Sequence, residues 1–289
     1  MILTIFAFAA AQAGSLPTSP DPMPPRRTAP AAAPPVAAPP AGEARLRACL
    51  AQVRAAPQQA IDAANAWLAE GGGLPARRCL ALALVALQQW AAAAAVYEQA
   101  AQDAETAQDA SRADFWVQAG NAWLAAGENP RALAALDAAL ATPNLTQELR
   151  GEAHLDRARV QVALGQADRA RQDLDRALQL VPADPFAWYL SAALARRERN
   201  GTRAVTDIAR ARELAPDNPD ILLLTGTIAG QNGNMAEAER LYRRVVELAP
   251  QSDAGRQAQA SLATMREVEV PVPAAMPPAA ATPPRPQSR

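Results

Sequence analysis

Between Ala113 and Pro143 the bulky apolar residues fall at Phe115, Trp116 and Trp123, then at Leu133, Leu136 and Leu140. Spacings of three, four and seven put each set on one face of a helix, so the segment predicts two amphipathic helices packed as a hairpin. The residues between them agree. Gly120 lies inside the first helix, where glycine costs roughly 1 kcal/mol relative to alanine and is usually kept to let a neighbour approach closely. Gly127 follows the first helix and suits a left-handed C-cap. Pro130 stands in the first turn of the second helix, where its missing N–H is harmless. Ala132 and Ala139 are small residues at the crossing, and Pro143 closes the unit.

The same phrase recurs at a spacing of 34 residues in Ala170, Ala204 and Ala238, in Leu180, Leu214 and Leu248, and in Pro182, Pro216 and Pro250. A fixed period of this length means stacked helical hairpins. Trp116, Ala119-Gly120, Trp123, Gly127, Ala132, Leu136, Ala139 and Pro143 together resemble the tetratricopeptide repeat. The unit 151–184 carries Gly165, Ala170, Leu174, Ala177 and Pro182, with Ala158 in place of the helix glycine. The unit 185–218 carries Trp188, Ala192, Ala204, Ile208, Ala211 and Pro216, its turn glycine displaced to Gly201. The unit 219–252 matches best, with Leu222, Gly226, Gly233, Ala238, Tyr242 and Pro250. Upstream, 74–107 fits through Trp90, Ala93, Tyr97 and Ala100, while 42–73 keeps little beyond Ala48, Ala60 and Ala64. The resemblance implies an all-α, right-handed superhelical solenoid over 42–267. A helix over 253–267, with few and small apolar residues, would cap its end.

The chain ends differ in kind. Residues 15–40 hold ten prolines and 271–289 hold seven, among alanine, serine and threonine. Such segments cannot bury a core, and 14–41 and 268–289 are expected to be disordered. Ahead of them, Ile2 to Ala11 is an apolar run too short to span a bilayer, followed by the A-x-A site Ala11-Gln12-Ala13. This predicts a signal peptide over 1–13, cleaved after Ala13, and a protein of the periplasm or the exterior. No lysine or arginine precedes the run, and the alternatives are a disordered start or a true start codon further upstream.

Formal net charge is −1 and aromatic residues make up 4 %, which argues against a nucleic-acid or anionic-membrane binder. There is no phosphate-binding loop, no nucleophile elbow and no metalloprotease motif. His154 is the only histidine; it stands where the repeat places a packing residue, so neither a metal nor a catalytic role is expected. Pairs such as Asp173–Arg176, Asp168–Arg171 and Glu237–Arg240 read as solvated helix-surface pairs. No cofactor and no enzymatic activity are expected.

The resemblance also implies a function. First helices of such repeats line a concave groove that binds a peptide or protein. Carried over, the groove positions are Asp114, Val117, Asn121 and Leu124; Glu152, Leu155, Arg159 and Val162; Phe186, Tyr189, Arg196 and Arg197; and Asp220, Leu223, Thr227 and Gln231. Asn121 matches an asparagine that holds a ligand backbone in peptide-binding members. The basic clamp for chaperone tails is absent, because Val117, Glu152 and Asp156 stand at its positions. The candidate partner site is therefore Asn121, Arg159, Phe186, Tyr189, Arg196 and Arg197, with the aromatics for stacking and the arginines for an acidic or C-terminal group. Cys49 and Cys79 fall in the first helices of neighbouring units, and in an exported protein they read as a disulfide; the alternative is two buried thiols. The expected function is an exported interaction scaffold. The alternative is an envelope assembly or secretion accessory factor whose proline-rich tails make the contacts.

Overall fold

A computed structural model describes residues 41–143 and 145–269. The predicted signal peptide, almost all of the proline-rich segment before the repeats, and nearly all of the tail after them lie outside the described residues. Within them the chain is all-α. The first ten helices are α1 (Ala41–Ala55), α2 (Pro57–Ala69), α3 (Gly73–Ala86), α4 (Trp90–Thr106), α5 (Arg112–Ala125), α6 (Asn129–Ala141), α7 (Gln147–Ala163), α8 (Ala167–Leu180), α9 (Pro185–Arg197) and α10 (Gly201–Leu214). They form one unit. A second contains α11 (Pro219–Gln231), α12 (Met235–Leu248) and α13 (Asp253–Glu269). In each, sequential helices pack as hairpins, as the period of the sequence implies.

Local chemistry starts and stops these helices. Proline occupies the first turn of α2, α6, α9 and α11, where the free N–H would be unsatisfied anyway. Asp184 accepts from the Phe186 amide at 2.9 Å and caps α9. Asn218 does the same for α11 through the Asp220 and Ile221 amides, and Thr146 for α7 through Leu149. From α3 onward the turn inside each hairpin has one left-handed residue, and the same repeat position supplies it five times: Gln88, Gly127, Gly165, Arg199 and Gly233. The expectation of a displaced turn glycine at Gly201 is corrected here. Arg199 takes the turn itself at φ 59°, and Gly201 begins α10.

Alanine brings the helices close together. In the first unit Ala93, Ala100, Ala119, Ala132 and Ala139 are fully buried beside Tyr97, Phe115, Trp123 and Leu136. At Gly120 a Cβ would stand 2.5 Å from Leu136 Cγ, so α5 and α6 reach their separation only because that atom is missing. At Gly226 it would stand 2.8 Å from Tyr242 Cε1, which repeats the device in the second unit. There α13 covers the core with Ala254, Ala258, Leu262 and Met265, against Leu222, Leu241, Tyr242 and Val245.

Candidate functional site

The first helices α5, α7 and α9 carry the six nominated residues, and the structure uses three of them internally. Asn121, on α5, donates from Nδ2 to Oδ2 of Asp156 on α7 at 2.6 Å. Arg159, one turn further along α7, donates from Nη1 to the other oxygen of the same carboxylate at 3.0 Å. Asp156 is 5 % exposed. Burial pushes its pKa above the ordinary carboxylate value, against the opposing pull of Arg159 and Asn121, and the charge of Asp184 adds to the rise. Asn121 Oδ1 is buried with no hydrogen-bond partner among the described residues, at a cost of about 1–3 kcal/mol. The amide is turned this way because the opposite orientation would aim its oxygen at the carboxylate.

Tyr189 is the clearest correction. It is 8 % exposed, with its ring stacked on Phe186 at a centroid separation of 5.6 Å. A ring already enclosed by its own fold does not serve as the anchor on which a partner seats. Val117 and Leu155, at the matching positions of α5 and α7, are also buried, and Val117 packs with Ala139 and Ala153 between α5, α6 and α7. At Val117, therefore, that helix position faces the neighbouring hairpin rather than a groove.

Phe186, Arg196 and Arg197 remain available. Phe186 is half-buried at the start of α9 and Arg197 is exposed at its end. Arg196, half-buried beside it, holds its Nε–H in the interior with no partner among the described residues. Ten residues of helix separate Phe186 from Arg196, about 15 Å along the axis. The aromatic pair and the arginine pair are therefore separate contact points on one helix.

Charged residues expected on hydrated faces turn out to be interior. Asp173, 4 % exposed, receives His154 Nδ1 at 2.8 Å and two bonds from Arg157, at 2.8 and 2.7 Å; Arg157 also reaches Asp137 on α6. Its pKa is pushed up by burial, but the bonds from His154 and Arg157 outweigh this and leave it below the ordinary value. Asp207, 5 % exposed, accepts from Ser191 Oγ at 2.6 Å and from Arg203, which also pairs with Asp175. Arg171 bonds Ser191 and Glu198. Thus Asp173 does not pair with Arg176, nor Asp168 with Arg171, while the expected Glu237–Arg240 pair forms at 2.5 Å. His154 does more than pack, because it ties α7 to α8. Asp173 and Asp207 stand 34 residues apart (207 − 173), within the apolar stripes Ala170-Leu174-Ala177 and Ala204-Ile208-Ala211. That phase was the available signal that both face inward.

Cys49 on α1 and Cys79 on α3 are buried with Cα atoms 6.1 Å apart, a disulfide distance. No described helix is long and apolar enough to cross a membrane.

Comparison with known proteins identifies the repeat. PilW, described as a widely conserved type IV pilus biogenesis factor, superposes with a TM-score of 0.61 at 20 % identity, covering 77 % of this chain and 100 % of PilW. PilF of Pseudomonas aeruginosa gives 0.59 at 19 % identity, with 76 % and 97 % covered. TTC0263, a tetratricopeptide protein of Thermus thermophilus, gives 0.53 at 21 %, with 64 % and 96 % covered. At these identities the likeness is one of fold. No curated relative matches the sequence. Family models described as tetratricopeptide repeat match residues 151–194 and 189–253; with the hairpin order and the shared turn position, they make this chain a member of the tetratricopeptide repeat family.

Proposed function

We propose that the protein is a non-enzymatic scaffold of the cell envelope that holds a peptide or protein partner on the first-helix face of its repeats. The partner's acidic or C-terminal group would be received at Arg196 and Arg197. The observation that carries this reading is the unpartnered buried Nε–H of Arg196, with the exposed Arg197 following it in sequence at the end of α9. Unpaired buried donors are costly, and an arginine fork suits a carboxylate bidentately. Phe186 adds an aromatic contact point at the other end of α9. Asn121, Arg159 and Tyr189 have supporting roles here, since their polar groups or rings are already engaged.

Export is supported by the A-x-A site after the apolar run and by the cysteine pair at disulfide distance. A Cys49–Cys79 bond would form in an oxidising compartment. A second reading, an assembly accessory factor acting through its proline-rich tails, has one specific support, the likeness of fold to the pilus biogenesis factor PilW.

Crosslinking capture from the envelope fraction separates the two. Arg196→Glu with Arg197→Glu should lower capture at least tenfold while the helical circular dichroism is unchanged. Deleting 15–40 and 271–289 should leave capture intact. Loss on tail deletion with none on charge reversal would give the second reading the function.

A further inference from the structure

Two donors from adjacent first helices converge on a single side-chain carboxylate. Asn121 Nδ2 on α5 reaches one oxygen of Asp156 at 2.6 Å, and Arg159 Nη1 on α7 reaches the other at 3.0 Å. An amide and a guanidinium so placed make a cradle for a small planar anion, because both are donors and one is a fixed positive charge. Asp156 belongs to the same helix as Arg159, three residues before it, and brings its carboxylate into the cradle almost fully buried. The asparagine pays for this arrangement with a buried, unpartnered Oδ1. Its orientation therefore answers to the carboxylate and to nothing on its other side.

We infer that Asp156 is the internal occupant of an anion cradle built by Asn121 and Arg159, and that it sets the charge selectivity of this stretch of the first-helix face. The inference rests on the scaffold reading above and deepens it. With the cradle filled from within, a partner's carboxylate is turned away between α5 and α7. The partner segment crossing there is neutral or basic, and its acidic group is left to Arg196 and Arg197 at the end of α9. Asp156 is thus a specificity-determining residue by exclusion.

The test empties the cradle and offers it a substitute. Full-length wild-type protein and Asp156→Ala are melted in sodium formate and in sodium chloride at equal ionic strength. The expected result is a lowered melting temperature for Asp156→Ala that formate, and not chloride, raises along a saturating curve. Wild type should show no such difference between the two salts. Adding Asn121→Ala to Asp156→Ala should weaken the formate effect at least severalfold. Should Asp156→Ala fail to fold in chloride, refolding in formate is the readout, and recovery of helix there supports the cradle. The inference is overturned if formate does no more than chloride for Asp156→Ala, if wild type responds to formate equally, or if no refolding is recovered. None of these outcomes depends on partner capture, so this inference and the scaffold reading fail separately.

Discussion

Two buried aspartates of the first unit respond to their surroundings in opposite directions. Asp173 is held below its ordinary pKa of 3.8 because the bonds from His154 and Arg157 overcome the cost of burial. A depressed folded-state value means that its stabilising contribution is complete above the unfolded pKa and is lost as pH falls through the folded one. Asp156 is raised above 3.8, chiefly by burial. In the window above 3.8 its folded form retains a proton that the unfolded chain releases, so its contribution weakens as pH rises. The stability difference between wild type and Asp173→Asn should be constant above about pH 4 and shrink at lower pH. Urea unfolding across the acid range measures it, and a difference independent of pH would remove Asp173 from acid unfolding. Exposed pairs such as Arg210–Glu213, at 47 % and 65 % side-chain exposure, are worth little by comparison.

At the level of helices, close approach and cross-linking do different jobs. The α5–α6 crossing depends on the missing Cβ of Gly120. Gly120→Ala should destabilise the protein by about 1–3 kcal/mol, because overpacking against Leu136 exceeds the helix propensity that alanine adds. A shift in the urea midpoint tests this, and a stabilised variant would mean that Leu136 yields easily. Helix α1 is in a weaker position. Cys49 is its one buried residue among those described, while Leu46 and Val53 are only partly buried against the core. Helix α3, in contrast, is tied onward by Arg77–Asp103 at 2.6 Å and Arg78–Asp114 at 2.8 Å. Reduction of the oxidised protein should therefore raise hydrogen exchange in 41–55 well before α5–α8. Equal protection of α1 with and without reductant would show that packing alone holds it.

For the chain as a whole, the expectations concern where it works and in what state. Export predicts a mature protein beginning at Gly14, with no free thiol under denaturing, non-reducing conditions. Intact mass and thiol titration on material from the native host check both. A chain still starting at Met1 in the cytosol, with two titratable thiols, would end the envelope reading and with it the need for the disulfide. A formal charge of −1 supplies little long-range steering, so partner capture should depend on the local guanidiniums at the end of α9. Its salt dependence should fall when Arg196 and Arg197 are replaced.

The period of 34 residues was enough to determine the repeat, the helical hairpins and the close approach at Gly120, because these follow from spacing along one chain. Left-handed turns at Gly127, Gly165 and Gly233 were legible for the same reason, since glycine announces the conformation. The turns at Gln88 and Arg199 were silent, because there the two flanking helices impose the conformation on residues that do not favour it. Asp173 and Asp207 stood on the buried stripe in plain phase, yet phase tells which way a side chain faces and not what meets it. His154 and Arg157 come to Asp173, and Ser191 to Asp207, from other helices, Arg203 adds a bond to Asp207 from one turn earlier on α10, and only their convergence makes an interior carboxylate tolerable. The partner site divided in the same way. Helix positions nominated the six residues, but the fold brought Asn121 of α5 onto Asp156 of α7, Arg159 took the same carboxylate from one turn along its own helix, and Tyr189 was enclosed with its ring on Phe186, because position on one helix says which way a side chain points and not what the rest of the chain brings to it.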